Sequence, residues 1–202
     1  MRKVVWGGRI RVATVVLMAL ATVSCGEMVR QGQGSSYLII SALEAASGAS
    51  PSSFSGVLAS DVVTLVEGSP TIFEDPARVT FLLAMKDAGA ATPTAPSTNN
   101  FITVNRYRVR YIRSDGRNTE GVDVPYGFDG AITGTISGAA TFAFTLVRIQ
   151  AKREAPLAAL AVNGNAISTI AQVTFYGHDQ TGRDTSVMGQ ISINFANWGD
   201  PQ

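Results

Sequence analysis

Apolar and polar residues alternate along most of this chain, and the alternation has a period of two. Ala171, Val173 and Phe175 fall on one side of an extended strand, while Gln172, Thr174 and Tyr176 fall on the other. Ile191, Ile193 and Phe195 alternate in the same way with Ser192 and Asn194, and Phe142, Phe144 and Leu146 form a third stripe. A sheet with one buried and one wetted face has this pattern, and antiparallel sheets are the ones that expose a face to water. Strands are predicted at YLIISAL (37–43), at FSGVLASDVVTLV (54–66, one or two), and at ARVTFLLAMK (77–86). Others are predicted at FITVNRYRVRYIR (101–113), TFAFTLVRIQAK (141–152), AISTIAQVTFYG (166–177) and SVMGQISINFAN (186–197). AITGTISG (131–138) predicts a short hairpin, and AGAATPTAPSTNN (88–100) an exposed loop. Helical signal is confined to EAPLAALA (154–161) and ALEAAS (42–47), a turn or two each. Seven to nine short strands with turns between them predict an all-β fold, an antiparallel β-sandwich rather than a barrel.

The first 24 residues follow another rule. MRKVVWGGRIR carries Arg2, Lys3, Arg9 and Arg11 with no acid, and the run from Val12 to Val23 is apolar apart from two threonines. A bilayer-spanning helix needs about 20 apolar residues. A basic segment, a short apolar run and small residues mark a secretory signal instead. The predicted organisation is a signal peptide over 1–24, a flexible Gly/Gln/Ser tether over 25–36, and one β-sandwich domain over 37–202.

Thr22-Val23-Ser24-Cys25 resembles the cleavage motif of bacterial lipoproteins, with Thr22 standing where leucine is usual. That resemblance implies a diacylglyceryl group on the Cys25 sulfur, cleavage just before it, and acylation of the new amino terminus. It also implies a membrane anchor in the cell envelope. Gly26, rather than Asp, after the cysteine implies the outer membrane of a Gram-negative cell. The alternative is ordinary cleavage after Ala19-Leu20-Ala21, which would leave Cys25 as a free thiol. Cys25 is the only cysteine, so disulfides within the chain and cysteine-built zinc or iron–sulfur sites are excluded.

The stretch AQVTFYGHDQTGRDTSVMGQISINF (171–195) resembles the closing strand pair of bacterial Ig-like domains. The resemblance implies an Ig-like sandwich. The Cys–Trp–Cys core of antibody domains is missing, because Trp6 lies in the leader and Trp198 beyond the last strand.

Charge narrows the function. The whole chain has 16 basic and 15 acidic residues. With the four basic residues of the leader removed, 12 remain against 15 acids, a net charge of −3. A general nucleic-acid binder shows a basic footprint instead, so nucleic acid is not an expected partner.

Four stretches carry candidate chemistry. Arg106, Arg108 and Arg110 are spaced by two and project from one strand face, while Tyr107, Val109 and Tyr111 point to the core. Arg113 and Arg117 extend the basic patch. The patch suits an anionic partner (lipid headgroups, a polysaccharide or an acidic protein), or it is a solvated face paired with acids on neighbouring strands. HDQTGRDT places Asp179, Thr181 and Asp184 in one loop, a spacing open to calcium or to a plain hairpin turn with Gly182 at positive φ. GVDVPYGFDG (121–130) is either a sugar- or peptide-binding loop or one pinned to the core by Tyr126 and Phe128. His178, the only histidine, would have to serve any Ser–His–Asp arrangement, with Asp179 or Asp184 beside it. No G-x-S-x-G, P-loop or G-x-G-x-x-G occurs, and Glu120 and Glu154 stand in no motif.

The sequence reading is therefore a lipid-anchored, non-catalytic binding or structural module of the bacterial cell envelope. It has calcium as its one candidate cofactor, and an envelope protein or glycan as its partner. The alternatives are an envelope hydrolase acting on glycans or esters through loop carboxylates and His178, and a calcium-stabilised adhesion domain.

Overall fold

Two sheets and a small hairpin carry the fold. The structure, a computed structural model, describes residues 34–199, so the segment predicted as a signal peptide, Cys25 and most of the predicted tether lie outside the described residues. Strands β1 (Ser36–Ala45), β5 (Asp75–Met85) and β8 (Ala139–Val147) form a three-stranded sheet in the order β1-β5-β8. The second sheet has five strands: β2 (Val57–Asp61), β6 (Ile102–Ile112), β7 (Phe128–Ile136), β9 (Ile167–Asp179) and β10 (Asp184–Ala196). Their order is β2-β10-β9-β6-β7. β3 (Thr64–Val66) and β4 (Ser69–Thr71) pair by themselves. The chain is all-β, and every strand pair is antiparallel except β2 with β10, which run parallel. Among the described residues no helix is long and apolar enough to cross a membrane.

The period-two stripes become the inner faces. Tyr107, Val109 and Tyr111 of β6, Ala171, Val173 and Phe175 of β9, and Ile191, Ile193 and Phe195 of β10 are all buried. Ala77, Val79 and Phe81 of β5, with Phe144 and Leu146 of β8, meet them from the other sheet. Aromatic rings join the two sheets. Phe175 packs edge-on against Phe81 at 5.0 Å and against Phe144 at 5.4 Å, and Tyr107 meets Phe144 at 5.0 Å. Edge-to-face pairs of this kind add about 0.5–1.5 kcal/mol each beyond their burial. The buried phenols are not left unpaired: Tyr107 Oη donates to the Thr145 carbonyl at 3.1 Å, and Tyr111 Oη to that of Leu146 at 2.7 Å. Burial pushes the Tyr111 phenol far above its ordinary range.

One irregularity decides which side chains face outward. Buried residues on β6 fall at Ile102 and Val104, then at Tyr107, Val109 and Tyr111, so the parity changes at Asn105. The register shift between Val104 and Arg106 is a β-bulge, which adds one residue and turns the strand over. Gly177 lies opposite this bulge. A Cβ there would come within 2.2 Å of the Thr103 carbonyl oxygen, so only glycine lets the two backbones meet.

Several sequence expectations change. The strand predicted over 141–152 ends at Val147, and a short helix, α1 (Ile149–Arg153), follows it. The helical turn brings Ala151 and Lys152 inward, which continued alternation would not have done. Segment 131–138 is not itself a hairpin: it is most of β7 together with the turn into β8. Residues 42–45 stay extended as the end of β1, held to β5 through Ala45 opposite Ala77, and make no helical turn. The turn expected in 154–161 forms as a 3₁₀ helix over Leu157–Val162. The strands number ten among the described residues, two of them the three-residue β3 and β4.

The chain enters the domain beside the β9–β10 turn. Ser35 and Ser36 fix the entry by donating to Asn100 Oδ1 at 2.7 Å and to its carbonyl at 2.6 Å. Gly34 and Ser36 line a small crevice together with Asp179 and Arg183.

Candidate functional site

The outer face of the five-stranded sheet follows from register alone. Across it, Met188, Thr174, Arg108 and Asp129 form one row, and Ser186, Tyr176, Arg106 and Ala131 the next. Gln190, Gln172 and Arg110 make a third row, and Asp184, His178, Thr103 and Thr135 a fourth. The three arginines therefore share one exposed face, as their spacing predicts.

Their pairing is sparse. Asp129 is shared by Arg106 at 3.8 Å and Arg108 at 3.9 Å, with both guanidiniums more than half exposed. Exposed pairs at such distances contribute little to stability, roughly 0–1 kcal/mol. Arg110 lies opposite Gln172 and makes no ion pair among the described residues. Arg106 also lies over the Tyr176 ring at 4.2 Å, a cation–π contact between neighbouring strands. Beside this stack opens a shallow groove of about 740 Å³, lined by Asn105 of the bulge, Arg106, Tyr176, Asp184, Thr185 and Ser186. The face thus offers spare positive charge at its arginines next to an aromatic ring, hydroxyl and amide groups, and the Asp184 carboxylate at the far side of the groove. Such a surface can bind anions.

Arg113 and Arg117 are spent elsewhere. Both pair with Asp115 in the turn after β6, at 2.7 Å and 3.1 Å. Hydrogen bonds from the Arg113 side chain and the Arg117 backbone hold the Asp115 carboxyl down to about 2. A depressed acid stabilises the fold above its unfolded-state pKa, and that contribution is lost as pH falls through the folded value. Asp115 is expected to stay ionised when the pH drops below the ordinary aspartate range, and to release its arginines only near pH 2. A carboxyl chemical-shift titration by NMR checks this, and an ordinary aspartate midpoint would contradict it.

In the β9–β10 turn, Asp179 works as an internal clasp. Its Oδ1 accepts from Thr181 N at 2.9 Å, Thr181 Oγ1 at 2.6 Å and Arg183 N at 3.0 Å. Burial raises its pKa, but the hydrogen bonds from Thr181 and Arg183 outweigh that and leave it below the ordinary value. Gly182 takes positive φ, as a tight turn needs. Asp184 stands across from His178 on the sheet rather than joining the clasp. Among the described residues, no group of three or more His, Cys, Asp or Glu is placed to hold a metal ion.

Of the residues named for hydrolysis, His178 faces Asp184 across the β9–β10 pair, while Glu120 and Glu154 are held in other segments. His178 Nδ1 lies 3.0 Å from the Asp179 carbonyl oxygen. Glu120 accepts from Gly127 N at 3.3 Å, and Glu154 from Gln150 Nε2 at 2.8 Å, so each closes its own loop. In the 121–130 loop, Phe128 packs against the Tyr107 ring at 6.1 Å, whereas Tyr126 is 51% exposed. The inward anchor is Val124, fully buried, with its carbonyl accepting from Gly121 N at 2.8 Å.

One cluster escaped the sequence reading. Lys152 of α1 and Asp75 at the start of β5 are both buried, with Nζ 2.8 Å from Asp75 Oδ1. Nζ also donates to the Asp61 carbonyl at 2.8 Å. Ser60 Oγ donates to Asp75 Oδ2 at 2.6 Å, and Gly48 N to Oδ1 at 2.8 Å. Asp61 in turn accepts from Thr64 Oγ1 and from Trp198 N, which ties the last residues of the domain to the same cluster. Burial pushes the Asp75 carboxyl upward against the opposing influence of Lys152, Ser60 and Gly48.

No protein-family model, curated protein or solved structure matches this chain.

Proposed function

We propose that this protein is a lipid-anchored, non-catalytic binding or structural module of the bacterial cell envelope, and that it meets an anionic envelope partner through the Arg106–Arg108–Arg110 face. The observation that carries the reading is the charge arrangement. Of three exposed arginines, two share one carboxylate and the third has none, on a chain whose predicted mature portion is acidic. A solvated face that merely balanced its neighbours would give each arginine an acid, and Arg110 has none among the described residues. Replacing the three arginines with glutamine is expected to weaken capture of isolated, crosslinked envelopes and to remove its salt dependence. Equal capture at every salt concentration would refute the proposal.

The anchor is part of the same reading. The short Gly/Gln/Ser segment between Cys25 and the β1 entry would keep the β9–β10 end, and the Arg106 groove near it, within a few nanometres of the bilayer. Cys25→Ala is expected to block processing and move the protein to the soluble fraction. Unchanged detergent partitioning would remove the anchor from the proposal.

We further read the two sheets as an Ig-like sandwich. Lettering β1, β5 and β8 as A, B and E, and β6, β7, β9 and β10 as C, C′, F and G, gives the orders A-B-E and C′-C-F-G, with β2 added in parallel outside G. The cross-sheet aromatic packing supports the same reading. Folds of this kind host binding, adhesive and enzymatic functions alike, so the functional proposal stands on the arginine face and not on the fold.

A further inference from the structure

The Lys152–Asp75 pair invites a question that packing alone does not answer. Lysine is almost never fully buried unless paired, and here both partners are sealed, Lys152 at 1% and Asp75 at 0% exposure. Keeping two charges in such a place carries a large desolvation cost before their attraction is counted. Neutralising both would remove that cost, and the geometry offers a route.

We propose that Lys152 Nζ and the Asp75 side-chain carboxyl condense to an intramolecular amide that staples α1 to the start of β5. The ammonium and the carboxylate hold everything the reaction needs. The Nζ–Cγ bond forms and one Cγ–O bond breaks. Two of the three ammonium protons leave with that oxygen as water, and the third stays on the amide nitrogen. No oxidant, reductant or activating group takes part.

Each neighbour has a place in this step. Attack needs a neutral amine, and burial, which raises the Asp75 carboxyl, favours passing a lysine proton to it. Ser60 Oγ, 2.6 Å from Oδ2, donates to the oxygen that departs. Gly48 N, 2.8 Å from Oδ1, stabilises the negative charge that builds on the oxygen that stays. The Asp61 carbonyl, 2.8 Å from Nζ, steers the amine and then accepts the amide N–H. The fold holds nucleophile and electrophile together, and well-oriented intramolecular reactions reach effective molarities of about 10⁵–10⁸ M. Once formed, the amide is shielded from hydrolysis by the burial that favoured it.

The inference is independent of the arginine face and is tested by mass. Purified wild-type protein is expected to be lighter by one water than Lys152→Arg, after allowing for the substitution itself. A tryptic digest of the denatured wild type should contain one branched peptide joining the segment ending at Arg78 to the segment carrying Lys152. Separate linear peptides for both segments, with no mass deficit, would overturn the proposal and leave an ordinary ion pair. Because the digest uses denatured wild-type protein, a variant that fails to fold does not blunt the test.

Discussion

Phe175→Ala is expected to destabilise the domain by about 3–5 kcal/mol, the usual loss for removing a buried aromatic ring. Phe175 is the residue through which β9 reaches both strands opposite it. Its ring meets Phe81 of β5 and Phe144 of β8, and lies 6.3 Å from Tyr107 of β6. The vacancy would therefore open at the junction of both sheets, where neighbours from either side are fixed by their own ladders and cannot collapse into it. Interiors are packed like organic crystals, so such a void is not easily refilled. Phe175→Leu keeps part of the volume and is expected to lose less. Urea unfolding followed by tryptophan fluorescence reads both variants, and a midpoint for Phe175→Ala close to wild type would contradict the packing described above.

Lys152→Met is expected to be comparably damaging, about 3–5 kcal/mol, because without Lys152 the Asp75 carboxylate is left buried and uncompensated. Asp75 would keep Ser60 and Gly48 as donors but have no cation beside it among the described residues, in a buried site. The Asp61 carbonyl would also lose its buried donor. Removing the charge on both sides, as in Lys152→Met with Asp75→Asn, is expected to recover a large part of that loss. The double variant should still fall short of wild type, because the link between α1 and β5 is gone either way. A double variant less stable than the single one, in the same urea measurement, would show that the charge of Asp75 is not what makes the single change costly.

These two sites differ in how far the sequence exposes them. Phe175 is legible because strand periodicity is local. Ala171, Val173 and Phe175 declare a buried face within five residues, and a sheet with one wet face has only one way to place them. The arginine face is legible for the same reason, since Arg106, Arg108 and Arg110 lie beyond the bulge and keep a single parity. What alternation cannot reveal is pairing between distant segments. Lys152 reads as the polar end of a strand, and only the switch to helix after Val147 turns it inward toward an aspartate 77 residues away. The parallel contact of β2 with β10 is invisible for a related reason. A short run such as VLASD carries no mark of which way its neighbour runs. Tyr126 shows the opposite limit: by type it suits a core anchor as well as a binding loop, and the short 121–124 turn leaves it outside.

The parallel pairing of β2 with β10 also sets how the domain answers a pull. Val57 to Asp61 run beside Ser192 to Ala196 in the same direction, one strand near the beginning of the described chain and the other at its end. Once β1 had parted from β5, tension applied between the two ends would drag these strands past each other lengthwise. Every hydrogen bond between them would then share the load at once, instead of opening one after another as in a peeled hairpin. Against a pull on both ends, that places the mechanical seam at the β2–β10 edge.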